Sequence, residues 1–296
     1  MTPPVKLSIV VAVQHAEGNL PEILRALRPD SHPEVEFLFC HTPADPNVPS
    51  LSGDKDGDKD NVRVLCSPQG SLIPHLWRDG ILAAQGDLVA TTTAHCIPAT
   101  DWVETLLGAD LKGFALGGAI ENDPEADARS KAIFLLRYAA YAPPQAKREV
   151  HELAADNAAY RRVDLLRHED LLKRGFWEPS FHSWFRAEGI RLELNPRLKV
   201  IHRNRYNARQ FIAQRLAHGR EFGFTRARQR PLLQRPLLVL LAPGAFPILL
   251  GRILMAARRK PELRNQLGTG CFWLTIFTLA WVAGEASGYC MSLGAR

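Results

Sequence analysis

The chain has 296 residues, of which 46% are hydrophobic and 23% charged, so it suits one large folded domain with an appendage and is not a disordered chain. Its formal net charge is +6, and arginine and lysine crowd into residues 197–264, which favours a negatively charged neighbour such as a membrane surface, a lipid phosphate or nucleic acid. Five scattered cysteines without a Cys-x-x-Cys spacing argue against a disulfide framework or a structural zinc site and fit a reducing compartment.

Predicted strands and helices alternate along the chain. Leu7–Val13 is an apolar run typical of a strand buried on both faces of a parallel sheet, and it does not resemble a signal peptide. Leu20–Leu27 has helical spacing, with Asn19 as the expected N-cap. Further strands are predicted at 35–40, 62–66, 88–92, 113–120 and 191–202, and helices at 73–85, 102–111, 126–142 and 163–174. This alternation predicts an α/β fold with a mostly parallel sheet flanked by helices.

Two familiar ligand sites are not expected. No Gly-x-Gly-x-x-Gly follows the first strand, which argues against a dinucleotide-binding dehydrogenase. Residues 43–61 form a loop rich in Pro, Gly, Ser and Asp, and its segment Asp54–Asp60 lacks the glycine and glutamate positions of a calcium loop. We interpret this segment as a solvated insertion.

The strand predicted at 88–92 runs into the polar turn Thr93–His95. Ligands of open α/β sheets bind at the carboxyl ends of the strands, so His95 stands where a nucleotide, a metal or a substrate would be met. A hydrogen-bonded histidine at a strand end is the alternative interpretation.

An ordered set of short segments resembles family 2 glycosyltransferases from about Leu7 to Gly219. In chain order the matching segments are Leu7–Val13 with Asn19 and Leu20, Gly80 and Ile81 with Ala84, Gly86 and Asp87, Pro98 with Asp101 and Trp102, Asn157 with Tyr160–Arg162, and Gly175–Glu178 followed by Gly189, Pro196, Val200 and His202. The resemblance implies a GT-A-like, Rossmann-like fold and transfer of a sugar from a nucleotide sugar.

The chain departs from the family pattern at four places. His41 stands where the family has a nucleobase-binding Asp, and the Ala-Arg-Asn box reads Leu76–Arg78. The Asp-x-Asp motif reads Thr93–His95, so both usual metal ligands are replaced. The Glu-Asp pair near the catalytic base reads Trp177 and Glu178, which keeps one carboxylate.

The resemblance implies roles for individual residues. Glu178 is the expected general base, the alternative being a glutamate that favours a helix N-terminus. His95 would hold a divalent ion, manganese more readily than magnesium. The residues expected to bind the nucleotide sugar are Val13, His15, His41, Arg78, Thr93 and His95. Those expected to bind the acceptor or a phosphate are Asn157, Arg161, His182, His202 and Arg215, with helix capping as the alternative for Asn157.

The last third of the sequence predicts association with a membrane. Arg203–Arg230 combines an apolar stripe with a cationic face, which favours an anionic bilayer over RNA because no nucleic-acid motif accompanies it. Pro236–Gly251 and Asn265–Gly284 are uncharged but borderline in length for spanning. The basic connection Arg252–Arg264 would lie outside if both crossed, against the positive-inside rule. Shallow or re-entrant helices are favoured, with two spans or a soluble helical pair as alternatives.

The sequence therefore predicts a GT-A-like glycosyltransferase domain at 1–230 and membrane-associated hydrophobic helices at 231–296. Its expected partners are a nucleotide sugar, a glycan or lipid-linked acceptor and membrane lipids, with no nucleic acid. The expected location is the cytoplasmic face of the membrane, peripheral, monotopic or held by two transmembrane helices. The alternative function is a degenerate relative that acts as a binding or scaffolding subunit.

Overall fold

The computed structural model describes residues 4–51 and 61–294. The segment Asp54–Asp60, interpreted from sequence as a solvated insertion, lies outside these residues. The chain forms two compact units, and the first gathers the described residues of Met1–Asp123 and Tyr141–Arg205. The second gathers those of Pro124–Ala140 and Tyr206–Arg296. The predicted domain boundary at residue 230 stays a prediction.

The first unit contains a mixed β-sheet with helices between its strands, as the alternation of the sequence predicts. Its strands are β1 Leu7–Ala12, β2 Val35–His41, β3 Val62–Cys66, β4 Leu88–Thr93, β5 Cys96–Pro98, β6 Phe114–Asn122, β7 Arg148–Glu149, β8 Asn157–Arg161 and β9 Arg191–His202. Its helices are α1 Leu20–Leu27, α2 Ile73–Ala83, α3 Trp102–Leu107, α5 Arg162–Leu166, α6 Glu169–Leu172 and α7 Glu178–Ala187, with α4 in the second unit. The strand order is β3-β2-β1-β4-β8-β6-β9-β5, with β7 beside β9.

The half of the sheet that begins the chain is parallel. β3, β2, β1 and β4 pair in that order and run in one direction, whereas β8 is antiparallel to both β4 and β6. Ala12 pairs with Cys40 on one side and with Thr93 on the other, so β1, β2 and β4 end at the same level. This common end, which we call the carboxyl edge, carries the segments after Ala12, Cys40 and Thr93.

The second unit is helical. It consists of α4 Ala128–Tyr138, α8 Ala208–Arg228, α9 Arg235–Leu241, α10 Ala245–Arg258 and α11 Pro261–Gly294. The stretches Leu232–Arg258 and Pro261–Gly294 are long and apolar enough to cross a membrane, and an 18-residue window in each has a mean hydropathy of 2.1 and 1.5, respectively.

Glycines bring α8 and α11 together at backbone distance. A Cβ placed at Gly223 of α8 would lie 2.2 Å from the carbonyl oxygen of Glu285, and one at Gly219 would lie 2.3 Å from that of Trp281. The contact is reciprocal, because a Cβ at Gly288 of α11 would lie 2.1 Å from the carbonyl oxygen of Arg220. The basic helix α8 is therefore packed along α11, as small residues allow between helices in general.

The Gly223→Ala substitution tests this packing. The added methyl group meets backbone that cannot move aside as a side chain would, so we expect a loss of about 1–3 kcal/mol in unfolding free energy. The matched control is Gly251→Ala on α10, where an added Cβ meets nothing within 4 Å. Better helix propensity should make the control neutral or more stable by up to about 1 kcal/mol. Thermal unfolding of both variants in the same detergent gives the comparison, and equal stabilities would contradict the packing.

Candidate functional site

The carboxyl edge brings together most of the residues predicted to bind the nucleotide sugar. The backbone N–H of Val13 donates to the Cys40 carbonyl oxygen at 2.8 Å, and that of Ala94 donates to the Ala12 carbonyl oxygen at 2.9 Å. These bonds extend the pairing of β1 with β2 and β4 beyond the regular strands. Val13, His15, His41, Thr93 and His95 consequently lie on three neighbouring segments at one edge of the sheet.

A buried carboxylate lies between the ends of β1 and β2. His15 has a φ of 55°, and its backbone N–H donates to Asp45 Oδ1 at 2.7 Å. Asp45 is 1% exposed, and its other oxygen, Oδ2, has no hydrogen-bond partner among residues 4–51 and 61–294. Burial raises the pKa of the Asp45 carboxyl above its ordinary value, although the hydrogen bond from His15 opposes this. Asp45 is not predicted from the sequence as a site residue, because it falls in a loop rich in turn residues.

His41 ends β2 beside this carboxylate. Its Nδ1 lies 2.9 Å from the carbonyl oxygen of Thr42. Because a carbonyl oxygen only accepts, Nδ1 carries the ring hydrogen and Nε2 is left as an acceptor. The edge thus offers an imidazole nitrogen and a carboxylate oxygen as neighbouring acceptors.

His95 is fully buried, and backbone groups occupy both of its ring nitrogens. Nδ1 accepts a hydrogen bond from the backbone N–H of Arg205 at 3.2 Å. Nε2 lies 3.0 Å from the carbonyl oxygen of Gln14 and therefore carries the hydrogen. A neutral imidazole in this tautomer has no remaining lone pair to offer a metal ion.

The carboxylate of Asp156, the residue before β8, lies next to the end of β4. Thr93 Oγ1 donates to Asp156 Oδ1 at 3.2 Å, and Thr92 Oγ1 donates to the Asp156 backbone oxygen at 2.9 Å. Asp156 is buried. One carboxylate thus stands next to the Thr93–His95 turn, although the turn itself contains none.

The predicted metal site is not supported by the donors present. No three His, Cys, Asp or Glu side chains within the described ranges, 4–51 and 61–294, converge as metal ligands. Two carboxylates of an Asp-x-Asp motif are replaced by a threonine that donates to Asp156 and a histidine held by backbone. Hard divalent cations prefer several oxygen ligands, and this part of the edge presents one carboxylate.

Glu178 opens α7 and shares its surroundings with two phenols. Burial and then the charges of Glu152, Glu178 and Asp156 raise the pKa of the Tyr141 phenol. Burial and then the charge of Glu178 also raise the pKa of Tyr160. Asp156 and Glu178 thus both act electrostatically on these two phenols.

His182 lies one turn after Glu178 on α7 and supports Tyr160. Its Nδ1 accepts from the backbone N–H of Leu153 at 3.4 Å, and its Nε2 lies 3.1 Å from the Tyr160 hydroxyl. Burial, assisted by the charge of Arg186, lowers the pKa of His182 to about 3. A neutral histidine does not supply positive charge to a phosphate, so the geometry gives His182 a positioning role.

Two more of the predicted residues hold the fold near the site. Asn157 donates from Nδ2 to the carbonyl oxygens of Ala119 and Leu198 at 3.0 Å each, and its Oδ1 accepts from Trp102 Nε1 at 2.8 Å. Both amide hydrogens of Asn157 are therefore used within the protein. His202 is the buried last residue of β9, and its ring centroid lies 6.2 Å from that of His95.

Arg161 is not brought to the carboxyl edge. Arg78 lies near that edge, because its ion-pair partner Asp79 accepts a hydrogen bond from Ser67, whose backbone N–H donates to the carbonyl oxygen of His41. Arg78 on α2 pairs with Asp79 at 2.7 Å and donates to the Lys173 carbonyl oxygen at 3.3 Å. Arg161 pairs with Leu88, the first residue of β4, which places it about 16 Å along the strand from Thr93. There it lines a separate cavity of about 620 Å³ with Gly86, Asp87, Arg162, Val163, Leu166 and Arg167.

Arg215 belongs to the second unit. Its guanidinium lies 4.4 Å from the ring centroid of Trp281 and 5.5 Å from that of Phe211. The sequence suggested a phosphate contact for this residue, and the structure shows cation–π contacts within its own helical unit.

The sequence model of glycosyl transferase family 2 matches residues 8–167, more than half of the chain. The chain belongs to this family. The mannosyltransferase PcManGT from Pyrobaculum calidifontis, solved with GDP-Man and Mn²⁺, aligns with a TM-score of 0.54 and 16% identity over 97% of this chain and 89% of that one. TarS 1–349 from S. aureus, solved with UDP-GlcNAc, aligns with a TM-score of 0.50 and 11% identity over 95% of this chain and 93% of that one. No curated protein sequence matches the chain.

At these identities the structural likeness shows the fold, and the GT-A-like α/β fold predicted from the sequence is confirmed. Because the chain belongs to a glycosyltransferase family, we interpret the residues of the carboxyl edge in terms of sugar transfer.

The buried His182 predicts a characteristic dependence of stability on pH. Its pKa is about 3 in the folded protein against 6.5 in a model compound, so the unfolded chain takes up the proton first as the pH falls below 6.5. Lowering the pH from 7 to 5 should cost about 2 kcal/mol of unfolding free energy through this residue.

Urea unfolding of the His182→Gln variant measures this contribution. The variant should lose less stability than the parent protein between pH 7 and pH 5. His151→Gln, which removes an exposed histidine of the same unit, should keep the parental dependence. Identical dependences in the parent and the His182→Gln variant would show that His182 is not buried in its neutral form.

Proposed function

We propose that this protein transfers a sugar from a nucleotide-sugar donor to an acceptor hydroxyl at a membrane surface, with Glu178 as the general base. The observations that carry the proposal are geometric and lie in a family 2 glycosyltransferase domain. The buried Asp156 accepts from Thr93 at the end of β4, and Glu178 opens α7, whose His182 contacts Tyr160 of β8, the strand that follows Asp156. Ligands of α/β sheets bind at this edge, and the two aligned glycosyltransferases were solved with GDP-Man and UDP-GlcNAc.

The nucleobase of the donor binds against the ends of β1 and β2. Asp45 Oδ2 and His41 Nε2 are acceptors there, and nucleobases present N–H donors in the plane of the ring. A buried carboxylate oxygen without a partner is costly, and a base N–H would satisfy it. Asp45 in this way takes the place of the Asp that the family pattern has at His41.

The transfer step needs one proton acceptor. The acceptor hydroxyl oxygen attacks C1 of the donor sugar, its proton passes to Glu178, and the bond from C1 to the diphosphate oxygen breaks with its electron pair on the leaving diphosphate. Burial and then negative charges that include Glu178 raise the pKa values of Tyr141 and Tyr160, so both phenols stay protonated, as hydrogen-bond donors, at neutral pH.

The Glu178→Gln variant separates an enzyme from a scaffolding relative. We first expect a screen of nucleotide sugars, with and without Mn²⁺, to identify a donor that the parent protein binds and turns over. Glu178→Gln should then lower the transfer rate by about 10²–10⁴-fold, because it removes general-base catalysis, and leave donor binding unchanged. Glu149→Gln, at an exposed glutamate of the same unit, is the control. Donor binding without turnover in the parent protein would favour the binding or scaffolding subunit.

Membrane association belongs to the second unit. The stretch Leu232–Arg258, which contains α9 and α10, exposes large apolar side chains, among them Leu233 at 95% and Leu240 at 75%. In contrast, α11 packs against α8 through Gly223 and Gly288, so a crossing α11 would take α8 and its arginines into the bilayer. Each arginine at the bilayer centre costs about 2.5–3.5 kcal/mol on insertion scales. Shallow insertion of α9–α10 at the cytoplasmic face, where an acceptor on a lipid would be met, avoids this cost.

Co-sedimentation with vesicles of phosphatidylcholine and phosphatidylglycerol tests the placement. The double variant Leu233→Gln/Leu240→Gln removes two exposed leucines that would enter the lipid, and it should weaken binding by about tenfold or more. The control Leu82→Gln changes a leucine of the first unit that is 48% exposed. Unchanged binding of the double variant, or resistance of the parent protein to carbonate extraction from cell membranes, would contradict shallow insertion.

A further inference from the structure

An arginine outside the predicted site is fixed at the carboxyl edge. The backbone N–H of Arg205 donates to His95 Nδ1 at 3.2 Å, and its side-chain Nε donates to Asn19 Oδ1 at 2.6 Å. Both bonds are made within the first unit. The remaining guanidinium nitrogens extend from an exposed residue, so they are accessible to a ligand.

The partner of Arg205 is itself anchored to the turn that replaces the Asp-x-Asp motif. Asn19 is 1% exposed, and its Nδ2 donates to the backbone oxygens of Ala94 at 2.9 Å and Arg203 at 3.0 Å. The sequence predicted Asn19 as the side-chain cap of α1, and the structure shows no capping bond from it. The Asn19 amide instead bonds to both the Ala94 backbone oxygen and the Arg205 guanidinium. Only this side chain therefore separates the positive charge of Arg205 from the Thr93–His95 turn.

Carboxylates neutralise the charge of Arg203, but not that of Arg205. Arg203 forms ion pairs with Glu22 and with Asp123, the latter at 2.8 Å. Arg205 has no carboxylate within 4.0 Å in the described parts of the chain, 4–51 and 61–294. Its Nε is bonded to a neutral amide, so the full positive charge stays at the edge.

We propose that Arg205, instead of a divalent metal ion, provides the positive charge that binds the diphosphate of the donor. This inference rests on the proposed function. It joins two observations, the loss of metal ligands in Thr93–His95 and the fixed cation beside that turn. Guanidinium groups bind phosphate oxygens through two parallel N–H donors and stay charged at every working pH. When the bond to C1 breaks, the same contact stabilises the electron pair left on the diphosphate oxygen.

Calorimetric binding of UDP, GDP, uridine and guanosine, each in EDTA and in Mn²⁺, tests the proposal. In the parent protein at least one diphosphate should bind in EDTA with an affinity within about threefold of that in Mn²⁺. Arg205→Gln should weaken diphosphate binding by about tenfold or more and leave binding of the nucleoside unchanged, since only the charge-assisted contact is lost. Arg205→Lys should recover part of the loss, because it restores the charge without the planar fork.

The matched control is Arg197→Gln, which removes an exposed arginine from β9, the strand that precedes Arg205. It should bind nucleotides like the parent protein. Loss of diphosphate binding by the parent protein in EDTA would overturn the metal-independent proposal, while the glycosyltransferase function would stand. Diphosphate binding by Arg205→Gln that equals that of the parent protein would have the same meaning. Failure of the parent protein to bind any nucleotide in either condition would overturn the proposed function and the inference together. The comparison in EDTA uses the parent protein and does not depend on the stability of a variant.

Discussion

The buried imidazole of His95 is the constraint on which the carboxyl edge depends. It ties the Gln14 backbone, after β1, to the Arg205 backbone, after β9, and it does so in one tautomer with both nitrogens engaged. The end of β4 is thereby held by hydrogen bonds, where the family pattern holds a metal ion through two aspartates. The same bonds that occupy the imidazole fix the backbone of Arg205 at the edge. His95, which stands at a metal-ligand position of the family pattern, therefore also positions the backbone of Arg205.

The second element of the proposed site is two carboxylates, Asp156 and Glu178. Asp156 accepts a hydrogen bond from the Thr93 hydroxyl, and the charge of Glu178 helps burial to raise the pKa values of Tyr141 and Tyr160. His182 contacts the Tyr160 hydroxyl, and it is uncharged at neutral pH because its pKa is lowered to about 3. In the proposed reaction the charge of Arg205 stabilises the leaving diphosphate, and Glu178 takes the proton of the acceptor hydroxyl.

The sequence predicts the sheet well and the site only in part. Apolar runs such as Leu7–Val13 are buried on both faces, and this burial requirement is local enough to be visible in the sequence. β8 was not predicted as a strand, because Asn157–Arg161 is small and polar and becomes a strand only by pairing with β4 and β6. Asp45 and Arg205 were missed for a related reason: their environments are made by segments distant in sequence. The family pattern indicated Glu178, but pattern alone could not show that Arg161 lies at the opposite edge.

The central claim is that the carboxyl edge is a sugar-nucleotide site whose diphosphate is held by the chain itself. A pair of crystal structures with UDP or GDP bound, one grown with Mn²⁺ and one with EDTA, tests it most directly. The account predicts the same pose in both crystals, with the base against Asp45 and His41 and the diphosphate against the Arg205 guanidinium. A nucleotide bound away from this edge, or Mn²⁺ bridging the diphosphate to His95 or Asp156, would contradict it.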